Sequence, residues 1–171
     1  SMGAAKVGTG ERGVEQYHAA AIHIADQVVA GADGHPLLAS CAPFDPADAC
    51  VDEAITHFGG LLWRRPLSDD EVARVAAVQS AEPSDDPEVW RLGMTYALAA
   101  LIGSPNFIYR PEVGEPHPGG GYRYTAYEMA SRLSYAIWNS TPDAALLEAA
   151  ASGALESADG VRAQAERMLS M

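Results

Sequence analysis

Residues 86–105 read DPEVWRLGMTYALAALIGSP, the most apolar helical pattern in this chain of 171 residues. The pair Asp86-Pro87 is typical of a helix start, because the carboxylate caps backbone N–H groups and proline at the first helical position loses no hydrogen bond. A Ser-Pro pair ends the pattern, since proline cannot continue a helix. We therefore predict a central helix over Val89–Ile102.

Further helix signals lie on both sides of this stretch. Ser68 with Glu71 and Thr125 with Glu128 have the spacing of a capping box, in which each side chain accepts a hydrogen bond from the other residue's backbone. Only residues 122–124 show a β pattern. The sequence predicts an all-α fold, an irregular bundle of about seven helices in two groups. The predicted helices span 11–31, 46–65, 68–79, 89–102, 125–139, 144–152 (capped by Thr141-Pro142) and 157–169.

The domain organisation follows from one segment, residues 111–121, which hold three prolines and four glycines in eleven positions. This composition predicts a linker. It separates a helical domain (11–110) from residues 122–171, which we interpret as the helical first part of a second, truncated domain, because the last helical pattern reaches Met171 without a terminator. Residues 1–10 are interpreted as a tag remnant and a disordered start.

The composition excludes several classes of protein. Hydrophobic residues make up 48% of the chain, which is sufficient for a packed core. The formal net charge of −12 would repel a phosphate backbone or an anionic lipid surface. No apolar run approaches the roughly 20 residues that span a bilayer. We therefore expect neither nucleic-acid binding nor membrane insertion.

Catalytic and metal-binding motifs are not found in the sequence. The chain has no C-x-x-C-H, H-E-x-x-H, P-loop or G-x-S-x-G pattern. Its acidic clusters fall in predicted first helical turns, where carboxylates serve as caps. Among the five histidines, His57 flanks an apolar stripe. It is either a partly buried histidine bound to a carbonyl or, as a weak candidate, a ligand.

Four arginines next to aromatic residues are the most pointed candidates: Arg64, Arg65, Arg110 and Arg132. One interpretation is structural, with guanidiniums that pair with carboxylates or with the last carbonyls of helices. The other is a shared pocket for an anion or a sugar acid. On the structural interpretation the neighbouring apolar side chains should be largely buried. These are Trp63, Tyr109, Trp138, Ala54, Phe58 and Leu61.

The two cysteines, Cys41 and Cys50, bracket a proline-rich segment. They are either isolated buried thiols or a disulfide formed in an oxidising compartment. Their spacing matches no zinc or haem motif. The residues alone leave both alternatives open.

Three segments resemble consecutive signatures of the planctomycete cytochrome-associated domain family. They are residues 62–71 (LWRRPLSDDE), 103–110 (GSPNFIYR) and 127–143 (YEMASRLSYAIWNSTPD). The resemblance covers roughly residues 40–171. In this family, which consists of exported multi-domain proteins of unknown function, a domain with the arginine-proline motif precedes one that opens with Ala-Ser-Arg-Leu-Ser-Tyr. A cytochrome-c-like segment typically follows.

The resemblance implies export to the periplasm or cell surface, supports a Cys41–Cys50 disulfide, and provides no catalytic residue. It places any c-type haem in a part of the full-length protein outside this chain, for which we expect no cofactor. The leading hypothesis is a non-catalytic helical scaffold or interaction module of an exported, redox-linked protein. Its partners would be other domains of its own full-length chain, an exported protein or a polysaccharide. The alternatives are part of an oxidative or polysaccharide-directed enzyme, or a carbohydrate-binding module using Tyr122, Tyr124, Trp63 or Trp138.

Overall fold

The structure, a computed structural model, describes residues 10–30, 38, 49–81, 84 and 86–170. This described part of the chain is 72% helical, which confirms the all-α class. It contains eight α-helices, a 3-10 helix and one pair of short antiparallel strands. The elements are α1 (Glu11–Ala30), α2 (Cys50–Trp63), α3 (Asp69–Gln79), α4 (Pro87–Gly103), α5 (Pro105–Ile108), β1 (Glu115–Pro116), β2 (Tyr122–Arg123), α6 (Ala126–Ile137), α7 (Ala144–Ala151), the 3-10 helix (Ala154–Glu156) and α8 (Ala158–Leu169).

The helix starts show how strongly local sequence determines these elements. Both predicted capping boxes are present, Ser68 with Glu71 before α3 and Thr125 with Glu128 before α6. The helix α7 begins at Ala144 as predicted, but its cap is Asp143 and not Thr141-Pro142, because the Asp143 side chain accepts from the Leu146 N–H at 2.8 Å. The predicted helix start at residues 45–46 and the predicted tag remnant up to residue 9 lie outside the described residues.

The chain divides into two compact units. The first holds the described residues up to Phe58 together with Ser68–Ile108. The second holds Gly59–Leu67 and the described residues from Tyr109 onward. The predicted linker lies in the second unit, where Glu115 of β1 pairs in register with Arg123 of β2. This division places residues 59–67 and the predicted linker with the second unit, and the predicted domain boundaries stay a prediction.

The first unit is built around α4, the helix predicted to be central. Both α1 and α3 pack against it. The helix α1 buries Ala21 and Ala25, whereas its larger apolar residues Val14, Tyr17 and Ile24 are exposed. Small side chains allow two helix backbones to approach closely, so α1 packs through its alanines and leaves its larger apolar side chains outside.

The second unit has its own core between α6, α7, the 3-10 helix and α8. Its buried residues are Ala130, Leu146, Ala149, Ala150, Leu155 and Met168. Arg167 of α8 binds Asp143 with both Nη atoms, at 2.8 and 3.0 Å. This hydrogen bonding lowers the pKa of Asp143 from its ordinary value, against the effect of partial burial. The indole Nε1 of Trp138 donates to the Met168 carbonyl at 3.1 Å, so α6 and α8 are joined by polar as well as apolar contacts.

Candidate functional site

Arg64 is the structural centre of the candidate site. It directly follows α2 with a positive φ of 59°, a conformation that glycine adopts most easily at helix ends. Although charged, it is only 3% exposed. Its guanidinium donates to the carbonyls of Leu62 at 3.0 Å and Tyr109 at 2.9 Å, and to the side chain of Tyr135. Arg64 thus joins the end of α2 to the segment that begins at Tyr109 and to α6.

The electrostatics of Arg64 reflect this burial. Burial lowers the pKa of Arg64 from its ordinary value, the contact with Tyr135 raises it, and the positive charge of Arg110 lowers it again. An arginine stays protonated through shifts of this kind. The second unit therefore contains a permanent buried positive charge whose described contacts go to backbone carbonyls and a tyrosine side chain.

Two other arginines lie over tyrosine rings. The guanidinium carbon of Arg110 is 4.5 Å from the centroid of the Tyr135 ring. That of Arg132 is 4.4 Å from the centroid of the Tyr124 ring. Both distances are within the range of cation–π attraction. The tyrosine ring orients Arg110 without neutralising its charge, whereas Arg132 is oriented by its ring contact and also pairs with the carboxylate of Glu112.

Arg110 and Arg132 line one open cleft of about 430 Å³ on α6, hereafter the α6 cleft. Its other lining residues are Glu112, Met129, Leu133, Tyr135 and Ala136. Arg132 Nη1 is 2.6 Å from Glu112 Oε2, whereas no carboxylate contact is observed for Arg110 among the described residues. The volume is in the range of small-molecule sites. The cleft therefore offers two guanidiniums and one carboxylate to solvent.

The other predicted candidates lie elsewhere. Arg65 donates to the Pro66 carbonyl at 2.9 Å and lies 5.4 Å from the Trp63 ring centroid, outside the cleft lining. His57 belongs to the first unit, where it is exposed on α2 and meets the Phe58 ring edge-on at 5.3 Å. Within the described residues, no three or more His, Cys, Asp or Glu side chains are grouped so that they could hold a metal ion. None of the described helices has both the length and the apolar character of a membrane span.

The burial of the neighbouring apolar residues is mixed. Ala54 is fully buried as predicted, and Trp63, Trp138 and Phe58 are partly buried. The prediction is wrong for Tyr109 and Leu61, which are 57% and 50% exposed. Tyr109 binds Arg64 through its backbone carbonyl, so its ring is not needed in the core. Leu61 lies two helical turns after Ala54 on the same face of α2, so this face is buried at Ala54 but not at Leu61.

Sequence reasoning missed the acidic residue in the cleft lining. Glu112 lies in the predicted linker and was not considered as a site residue. The segment that carries it is held by Glu128, whose Oε1 accepts from the N–H groups of Val113 at 2.7 Å and Gly114 at 2.9 Å. Burial alone would raise the pKa of Glu128, but these backbone hydrogen bonds and those to Thr125 outweigh it and lower the pKa. The capping-box signal identified Glu128 but not this long-range role.

The cysteine pairing stays a prediction, because Cys41 lies outside the described residues. Cys50 is the buried first residue of α2. We expect that folded, unreduced protein takes up no alkylating reagent, and that it takes up two groups after reduction and unfolding. Intact mass spectrometry measures both states. Two alkylated cysteines in the folded, oxidised protein would contradict the disulfide.

The fold and the site define a class of protein: an all-α chain with an arginine-lined cleft. Family comparisons are more specific. Residues 50–112 match PSD5, a protein of unknown function (DUF1595), and residues 124–171 match PSD4, a protein of unknown function (DUF1592). These are the planctomycete cytochrome-associated domain families, so the resemblance of the sequence motifs to these families is confirmed, while the order of domains in the full-length protein stays a prediction. No curated protein and no solved structure matches the chain.

Proposed function

We propose that this chain is a non-catalytic helical interaction module of an exported, redox-linked multi-domain protein, and that it binds a carboxylate of its partner in the α6 cleft. The observation that carries the proposal is that Arg110 and Arg132 line the same open cleft. Guanidiniums bind carboxylates through two parallel hydrogen bonds, which gives both attraction and orientation.

The surroundings of the cleft favour a rigid recognition surface. Tyr135 lies between two arginines, because its side chain contacts Arg64 and its ring lies under Arg110. Glu128 holds the segment before Glu112 in place. Binding to a surface that is already ordered loses less conformational entropy than binding to a flexible one. This arrangement supports an interaction role for the second unit.

Charge also supports the proposal. The lining carries two guanidiniums and one carboxylate, whereas the whole chain has a net charge of −12. A local positive site on an acidic protein attracts an anionic group and orients the partner around it.

The partner in this proposal is another domain of the full-length protein, a second exported protein or a polysaccharide. The support is the order of the three family motifs, in which the arginine-proline domain precedes the start of the Ala-Ser-Arg-Leu-Ser-Tyr domain. In the same proposal a c-type haem belongs to a separate part of the full-length protein. The interaction module then contributes contacts and positioning, while electron transfer takes place at that other part.

The proposal predicts that a simple carboxylate perturbs the cleft arginines selectively. We expect acetate, compared with chloride at equal ionic strength, to shift the Nε–Hε resonances of Arg110 and Arg132 in nuclear magnetic resonance spectra. Arg162 of α8 is exposed and serves as the matched control. The variants Arg110→Gln and Arg132→Gln assign the two signals. Shifts no larger than that of Arg162 would show that the cleft does not recognise carboxylates.

A further inference from the structure

Two exposed tyrosines lie in and directly after β2, and one of them contacts an arginine of the α6 cleft. Tyr122 is 75% and Tyr124 40% exposed, although aromatic rings usually contribute to cores. Arg123 lies between them and pairs with Glu115 at 2.8 Å and Glu156 at 3.4 Å. Because successive side chains of a strand alternate in direction, we expect Tyr122 to point to the side opposite to Arg123. The Tyr124 ring is in contact with Arg132 of the cleft.

The chemistry of this combined surface is specific. Exposed aromatic rings offer apolar faces on which the C–H groups of a sugar ring can pack. Arg110 offers a fork for a carboxylate, and Arg132 offers the N–H groups that its pairing with Glu112 at 2.6 Å leaves open. The second carboxylate oxygen of Glu112 can accept a hydrogen bond from a hydroxyl group. A ligand that uses all three features has a ring with C–H faces, hydroxyl groups and a carboxylate. A uronic acid joined to further sugars has this combination.

The charge of the chain limits the number of carboxylates. The cleft lining has a surplus of one positive charge, from two arginines and one glutamate. The protein as a whole carries a net charge of −12, so a polymer with a carboxylate on every sugar would be repelled along most of its length. A glycan with one carboxylate neutralises the surplus positive charge of the cleft lining and avoids this repulsion.

We propose that the surface formed by Tyr122, Tyr124, Arg110, Glu112 and Arg132 binds a neutral glycan that carries a single uronic acid. The uronate carboxylate lies in the α6 cleft, and the neutral sugars pack on the two tyrosines. This inference rests on the proposed function and assigns a ligand class to it. Trp63 and Trp138 have no part in this surface, because both are partly buried and the Trp138 indole donates to Met168.

The test is isothermal titration calorimetry with defined ligands. We expect a xylo-oligosaccharide bearing one glucuronic acid to bind at least about tenfold more tightly than the same oligosaccharide without it, since each tenfold step corresponds to one well-formed polar interaction. Polygalacturonate should bind more weakly than the singly charged ligand at low salt. A peptide with one glutamate should also bind more weakly, because it has no sugar ring to pack on the tyrosines.

Variants locate the binding surface. Tyr122→Ala should weaken binding of the glucuronic acid ligand about tenfold. Arg132→Lys keeps the charge but loses the bidentate fork, and should weaken it by a similar factor. Tyr17→Ala, which removes an exposed tyrosine of the first unit, is the matched control and should leave binding unchanged. Circular dichroism confirms that each variant is folded.

The possible results separate the two proposals. Equal binding of the peptide, with no effect of Tyr122→Ala, would overturn the glycan assignment and leave a carboxylate-binding cleft. Equal binding of the neutral oligosaccharide would overturn the role of the uronate. Failure of every carboxylate ligand, together with unshifted Arg110 and Arg132 resonances in acetate, would overturn the proposed function as well.

Discussion

Replacing Arg64 with alanine is expected to lower the free energy of unfolding of the second unit by about 3 kcal/mol, because a buried acceptor that loses its donor costs on the order of 1–3 kcal/mol. The guanidinium serves the carbonyls of Leu62 and Tyr109 and the side chain of Tyr135 at the same time. The positive φ of 59° is unfavourable for any residue with a β-carbon, so this strain is the same for arginine and alanine and does not contribute to the difference. Urea unfolding followed by tryptophan fluorescence measures the loss.

Two further variants separate the causes of this effect. Arg64→Gly removes the same hydrogen bonds but tolerates the left-handed backbone, so it should be about 1 kcal/mol more stable than Arg64→Ala. Arg65→Ala is the neighbouring control, since Arg65 donates to the adjacent residue Pro66 and lies outside the cleft lining. If Arg64→Ala were no less stable than Arg65→Ala, Arg64 would not be the anchor that its contacts indicate.

Arg64 also shows where sequence-based prediction ends. The motif around residues 62–71 marked the arginine as notable, but a helix end with positive φ usually carries glycine, and arginine gives no such signal. Its partner carbonyl, at Tyr109, lies 45 residues further along the chain. Capping boxes such as Ser68 with Glu71 were predictable because all of their atoms lie within one helical turn. Contacts across the fold have no comparable local pattern.

The same limit applies to helix faces and to the cleft. The sequence predicts a helix over residues 11–31, but helical periodicity does not show that Ala21 and Ala25, rather than Tyr17 and Ile24, are the residues that become buried. Arg110 and Arg132 are candidates in the sequence because they are arginines next to aromatic residues. That both line the same cleft depends on the path of the chain between α5 and α6, which no local pattern predicts. Glu112 was missed because a Pro/Gly-rich segment reads as a linker, although Glu128 fixes its position.

Replacing Gly160 with alanine is expected to destabilise the second unit by about 3 kcal/mol, the upper end of the usual cost of overpacking. Near the start of α8, a β-carbon at this position would overlap the Ala154 carbonyl oxygen and lie 2.8 Å from its carbon. The obstacle is backbone of the preceding 3-10 helix, which cannot rotate away as a flexible side chain can. Ser157 fixes this approach, since its Oγ accepts from the Gly160 N–H at 3.1 Å.

Gly103→Ala is the matched control for this prediction. Gly103 is also helical, at the end of α4, and a β-carbon there would meet nothing within 4 Å. Alanine should therefore stabilise the chain slightly, by up to about 1 kcal/mol, through its higher helix propensity. The two variants change the same atoms and should move the thermal midpoint, measured by circular dichroism, in opposite directions. A Gly160→Ala protein as stable as the parent would mean that the 3-10 helix and α8 do not approach each other as closely as their backbones indicate.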